Sequence, residues 1–206
     1  MKLYLSSYRL GDHPEELLRL LSKNKTAAVI VNAIDDETKA IRNEKLQKEF
    51  EDLKNLGITP EEIDLREFFG KEEELKKKIS AYGMVWVRGG NTFILRRAFA
   101  YSGFDDILKE KINDKNFVYA GYSAGICVLS STMKGLHIVD DSHIVPQGYK
   151  QEVIWEGVGL VPYTFAPHYQ SDHVESVLVD ESINYMEKNN IPFKTLRDGE
   201  VLIAEV

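Results

Sequence analysis

Phe117-Val118-Tyr119-Ala120-Gly121-Tyr122-Ser123-Ala124-Gly125-Ile126-Cys127-Val128-Leu129 is the stretch on which the reading turns. β-Branched, aromatic and small residues lead into Gly121, and after Gly125 an apolar run resumes at helix-compatible spacing, so the stretch predicts strand, sharp turn, helix. A serine with a glycine two residues away on each side is the nucleophile-elbow pattern, in which only glycine lets neighbouring backbone pass so close. Such a turn lifts the Ser123 hydroxyl above the sheet edge at a helix N-terminus, where backbone N–H groups favour a developing negative charge. The plainer alternative is a glycine-bracketed turn whose serine caps a helix, and the motif alone does not choose between them.

Working outward, residues 2–6 and 84–87 read as strands, and residues 26–34 form a near-continuous apolar run expected of a strand covered on both faces. Residues 62–65 read as a further short strand, and helices are expected over residues 14–21, 72–80, 93–101 and 104–112. Asp35-Asp36 is a plausible cap for a long amphipathic helix that Gly57 stops. Beyond the elbow, residues 130–159 are irregular and are expected to hold short antiparallel strands and loops. Residues 164–169 then end a strand, residues 172–189 form a helix, and residues 193–196 and 201–204 close the chain as strands around Asp198-Gly199. Alternating strands and helices predict an α/β fold, a three-layer αβα sandwich with a mostly parallel sheet, in one domain over residues 1–206. Ligands in such folds bind beyond the carboxyl ends of the strands, where the glycine-rich ends at residues 89–90 and 121–125 should meet.

The bulk properties narrow the function. A chain of 206 residues buries about 70% of its unfolded surface and needs no staple. Its single cysteine, Cys127, cannot form an intrachain disulfide and falls in an apolar run, which fits a reducing compartment. No apolar segment is long enough for a signal peptide or a membrane span, so a cytoplasmic protein is expected. A formal net charge of −7 argues against nucleic acid or an anionic membrane as the main partner.

Serine needs a base, and the base needs a third group to hold its tautomer. Of the histidines, His13, His137, His143 and His173 lie in polar or mixed surroundings. His168 follows a proline at the end of an apolar run, where a strand meets the active edge. Gly89-Gly90-Asn91-Thr92 reads either as a turn with a helix cap or as half an oxyanion hole, its N–H groups joining that of Ala124 at one oxygen. No metal-binding spacing and no phosphate loop is present.

Val87-Arg88-Gly89-Gly90-Asn91-Thr92, Gly121-Tyr122-Ser123-Ala124-Gly125 and Ala166-Pro167-His168-Tyr169, in that order, resemble the peptidase E family of serine peptidases, which includes aspartyl dipeptidases and cyanophycinases. The resemblance implies a class I glutamine amidotransferase-like fold and a cofactor-free serine exopeptidase acting on a small peptide substrate. It implies Ser123 as nucleophile, His168 as base, Gly90 and Ala124 as oxyanion donors, and Gly89 and Asn91 as substrate contacts. The triad acid falls at Asp198, and a second functional acid at Asp140 or Asp141, with Asp141 carried forward. A homodimer is the assembly to test. Aspartate-specific members are expected to carry an arginine shortly after the histidine motif, but residues 170–187 contain no Arg or Lys, and Asp172, Glu175, Asp180 and Glu181 stand there. Asp-Xaa dipeptides are therefore not the expected preference. Two rival readings are an esterase of α/β-hydrolase type and a binding protein with an idle elbow.

Overall fold

Short apolar runs without a polar face are stable only where both sides are covered, and they form the middle of one sheet. In the computed structural model, which describes residues 1–206, β1 (Lys2–Ser6), β2 (Thr26–Ile30), β4 (Met84–Val87) and β5 (Val118–Tyr122) run parallel. Outside them lie β3 (Thr59–Glu62), parallel to β2, and β8 (Val201–Glu205), antiparallel to β1, in the order β3-β2-β4-β5-β1-β8.

Side chains alternate across the strands and so build a core on each face. Tyr4, Ala27, Val29, Met84, Trp86 and Val118 point to one face, where α1 (Glu15–Leu20) and α2 (Lys39–Asn55) cover them with Leu17, Leu46 and Leu53. Leu3, Leu5, Ile30, Val85, Val87 and Tyr119 point to the other. There α3 (Glu72–Ile79), α4 (Thr92–Ser102) and α5 (Phe104–Lys111) contribute Leu75, Ile79, Phe93, Phe99 and Leu108. The result is the expected three-layer α/β fold. A smaller unit lies beside it: β6 (Thr164–Ala166) and β7 (Phe193–Thr195) pair in parallel, and α7 (Ser176–Lys188) packs Val179 and Met186 against Ala166.

Several boundaries differ from the sequence expectation, each for a local reason. The run expected to continue to residue 34 stops at Ile30 and turns through a 3-10 helix, Asn32–Ile34. Asn32 is drawn in by Asp35 and Asp64, to which it donates, and by Leu65, whose N–H it accepts. Asp35 is buried against Arg42, 2.9 Å away, so Thr38 rather than Asp35-Asp36 caps α2. The strand expected at residues 62–65 lies earlier, at Thr59–Glu62, because Pro60 is tolerated on an edge strand, and a 3-10 helix occupies Leu65–Phe68. The irregular region holds one isolated antiparallel bridge, Thr132 with Glu156, in place of short strands. The two closing strands separate, β7 pairing with β6 and β8 with β1. No helix is long and apolar enough to cross a membrane.

Candidate active site

The elbow is a one-residue turn. β5 ends at Tyr122 and α6 (Ala124–Cys127), a single helical turn, starts at Ala124, leaving Ser123 at φ 50° and ψ −118°. A non-glycine residue there carries strain of about 1–3 kcal/mol, held by its neighbours: the Ser123 carbonyl accepts from the N–H groups of Ile126 and Cys127 at 2.9 and 3.0 Å. Glycine is needed around it for space. A Cβ at Gly125 would lie 2.3 Å from the Val87 carbonyl oxygen, and one at Gly89 would lie 2.8 Å from the Ser123 Cβ.

β1, β4 and β5 all end at the same sheet edge, which places Tyr8, Gly89-Gly90 and Ser123 around one cavity, with Ser7 buried behind it. This cavity, about 600 Å³, is lined by Ser123, His168, Gly89, Gly90, Asp140 and Glu175, among others. His168 is buried, also at positive φ (61°), and its Nδ1 lies 2.6 Å from Asp198 Oδ1. Ser7 joins them: its Oγ accepts from the His168 N–H at 2.8 Å and donates to Asp198 Oδ1 at 2.9 Å. The turn carrying Asp198 is pinned by the Asp198 N–H, which donates to Ser171 Oγ at 2.8 Å. His168 and Ser123 share the cavity, and the carboxylate nearest His168 Nε2 is Glu175, 3.9 Å away.

His173 stacks flat on His168, centroids 3.7 Å apart and planes 9° from parallel, and the Tyr8 ring stands edge-on to His168 and tilted to His173. Burial holds the His168 imidazolium below its usual range; the Asp198 charge opposes this and His173 adds to it. Burial likewise raises the Glu175 carboxyl, with Asp198 adding to the effect. His168, His173 and Glu175 are the group whose potential ligand atoms lie within 4.8 Å of one another. Parallel rings aim their in-plane lone pairs side by side rather than at one ion, which suits a stack better than a tetrahedral metal site.

Across from the histidines, the Arg88 Nη1 donates to the Gly89 carbonyl at 2.6 Å, while the N–H groups of Gly90 and Ala124 have no acceptor within the protein. Asn91 lines the cavity with its side chain already committed as the cap of α4: Oδ1 accepts from Phe93 and Ile94, and Nδ2 donates to the Asp141 carbonyl. Of the two acids after the elbow, Asp140 is the one at the cavity. Its Oδ2 accepts from Thr92 N–H and Oγ1, and burial pushes its pKa up to about 7 against those bonds. Asp141, the acid carried forward from the sequence, is exposed and accepts from the His143 N–H at 2.8 Å. The structure does not bring it to the cavity.

A family model described as "Peptidase family S51" matches residues 6–205. The chain belongs to peptidase family S51. A relative in Listeria monocytogenes, an uncharacterized peptidase, is 27% identical over 143 residues, 68% of this chain and 64% of that protein. A Drosophila melanogaster protein named "Probable alpha-aspartyl dipeptidase" is 28% identical over 120 residues, 56% of this chain. The match thus spans 64% and 47% of these relatives' own lengths. The crystal structure of a peptidase from an acI-B1 Actinobacterium superposes with a TM-score of 0.73 at 15% identity, over 99% of this chain and 83% of that one, a likeness of fold alone.

In this S51 chain Ser7, His173 and Glu175 belong to the candidate site; sequence reasoning passed over Ser7 and His173 and weighed Glu175 only among the acids bearing on substrate choice. Ser7 had no signal, since a serine at a strand end is ordinary and its partner His168 is 161 residues away. His173 and Glu175 had a weak one: both follow the histidine motif within one loop, where positive φ at His168 and Gln170 folds the chain back on itself.

Proposed function

We propose that this chain is a serine peptidase that cleaves short peptides through Ser123, His168 and Asp198. The observation that carries the reading is the 2.6 Å contact of His168 Nδ1 with Asp198 in the cavity that holds the Ser123 elbow. A carboxylate at Nδ1 keeps the ring proton there and leaves Nε2 free to accept. Ser123 Oγ attacks the substrate carbonyl while His168 Nε2 takes its proton. The carbonyl electrons move onto oxygen, met by the N–H groups of Gly90 and Ala124. Collapse breaks the C–N bond, and His168 returns the proton to the leaving amine. Water, deprotonated by His168, then attacks the acyl ester and releases the acid and Ser123.

The test has two arms. Ser123→Ala should lower kcat/KM on a dipeptide such as Ala-Leu by about 10⁴- to 10⁶-fold while the thermal midpoint holds. A fluorophosphonate should add one adduct to the wild-type mass and none to Ser123→Ala. Turnover near wild type by the folded variant would end the serine reading.

A further inference from the structure

The peptide group between Gly89 and Gly90 is held at its ends and free in its middle. Arg88 N–H donates to the Ile30 carbonyl at 3.0 Å on one side, and Asn91 N–H donates to the Ala33 carbonyl at 2.8 Å on the other. Between these anchors lie two glycines, with Gly90 at φ 142°, so no Cβ opposes rotation of the peptide plane about the Gly89–Gly90 axis. In a trans peptide the carbonyl oxygen and the following N–H point in opposite directions. Whatever holds the Gly89 oxygen therefore decides where the Gly90 N–H points.

Arg88 holds it. Its Nη1 donates to the Gly89 oxygen at 2.6 Å, and its side chain is mostly covered. The guanidinium is itself ion-paired to Glu49, a buried carboxylate 3.2 Å from Nε, although Nε makes no hydrogen bond. Glu49 in turn accepts from Trp86 Nε1 at 2.8 Å and Tyr122 Oη at 2.6 Å, both on strands that end at the cavity. A buried carboxylate supported in this way has few other positions, so it gives Arg88 a fixed base.

We infer that Arg88, seated on Glu49, is a positioning residue that fixes the Gly89–Gly90 peptide with the Gly90 N–H toward the reacting oxygen. The inference rests on the serine-peptidase reading above. Without Arg88 the plane turns over, a donor leaves the oxyanion hole and the Gly89 carbonyl oxygen takes its place, opposing the negative charge of the transition state. Substrate binding in the ground state is left almost unchanged, because this contact matters only once charge develops.

The experiment follows phosphonylation of Ser123 by a fluorophosphonate, which develops charge on a phosphoryl oxygen in the same hole and needs no knowledge of the natural peptide. Arg88→Met keeps length without a donor and Arg88→Lys keeps a donor. Intact-mass time courses should show the maximal labelling rate of Arg88→Met reduced about 10- to 100-fold, with half-saturating probe concentration within about twofold, and Arg88→Lys recovering most of the rate. Labelling of Arg88→Met at the wild-type rate overturns the inference, as does Arg88→Lys being as slow as Arg88→Met. A rate and a half-saturation that worsen together also overturn it, because that is the mark of general disorder. Should Arg88→Met fail to fold, Arg88→Lys compared with Glu49→Gln decides: the inference requires Glu49→Gln to lose rate more than Arg88→Lys. A wild-type protein that takes no label at all sinks the serine reading and this inference with it, whereas a labelled wild type with an unimpaired Arg88→Met sinks the inference alone.

Discussion

The imidazole of His168 lies face to face with that of His173, 3.7 Å between centroids. Two such rings cannot both be protonated cheaply, and burial already disfavours charge on His168. A general base must be neutral to act, so the acid limb of kcat/KM is expected below the ordinary histidine value of 6.5. His173→Phe keeps a stacked ring without a titrating partner and should move that limb upward. Rates on Ala-Leu from pH 4.5 to 9 check both statements; a wild-type limb above pH 7 would mean that the Asp198 pairing outweighs burial.

Ser7 ties the His168 backbone to Asp198, accepting from the His168 N–H and donating to the Asp198 carboxylate. Ser7→Ala leaves a buried N–H without an acceptor, which costs about 1–3 kcal/mol, and frees the carboxylate to swing. A lower thermal midpoint together with a fall of about tenfold or more in kcat is expected. Ser7→Thr, which keeps the hydroxyl, should restore much of the rate. Unchanged kcat in Ser7→Ala would reduce this residue to a packing role.

Asp140 supplies a stability test whose sign can be worked out. Burial disfavours the carboxylate and pushes its pKa from the ordinary 3.8 up to about 7. A carboxyl raised on folding contributes stability that is fully present below the unfolded value and lost as pH rises through the folded one. Asp140→Asn keeps an acceptor for Thr92 without the charge. Its thermal midpoint relative to wild type should climb between about pH 4 and pH 7 and level off above. A constant difference across that range would show that Asp140 ionises in the folded protein as readily as in the unfolded one.

Charge in the site also bears on substrate choice. A narrow pocket opens beside Ser123 between Leu136, Phe165 and Val179; it carries Asp140 and Glu175, and no Lys or Arg lines it. A substrate carboxylate placed there would meet two acids and no cation, at a cost that its uncharged amide analogue escapes. Asn-Leu is therefore expected to exceed Asp-Leu in kcat/KM by about tenfold or more, some 1.4 kcal/mol. A tenfold preference for Asp-Leu would place the substrate carboxylate in the larger cavity instead, which Arg9, Lys45, Lys48 and Arg88 line.

How far the chain could be read in advance depended on how local each cause is. The elbow, the Gly-Gly turn and the interior strands follow from steric rules acting within a few residues, and they stand where those rules put them except that β2 stops at Ile30. Asp140 and Asp141 are adjacent, and what separates them is Thr92, 48 residues upstream, whose two donors take the Asp140 carboxylate. The partition of the closing strands into two sheets is likewise set by tertiary pairing with β1 and β6 rather than by their own sequences. Ser7 became legible only when β1 was seen to end beside His168.

That partition leaves Asp198 on the crossing between sheets. Just before it the Leu196 N–H donates to the Ala166 carbonyl in the small sheet, and just after it Glu200 accepts from the Ser7 N–H beside the large one. Neither sheet alone can hold the carboxylate at the histidine. During synthesis the elbow and His168 emerge first, and a nascent or clipped chain ending at Thr195 would own a nucleophile and a base with nothing to orient them. On the proposed mechanism, hydrolysis is switched on by the completion of the fold itself, and any condition that frays β8 from β1 should silence it well before the parallel sheet melts.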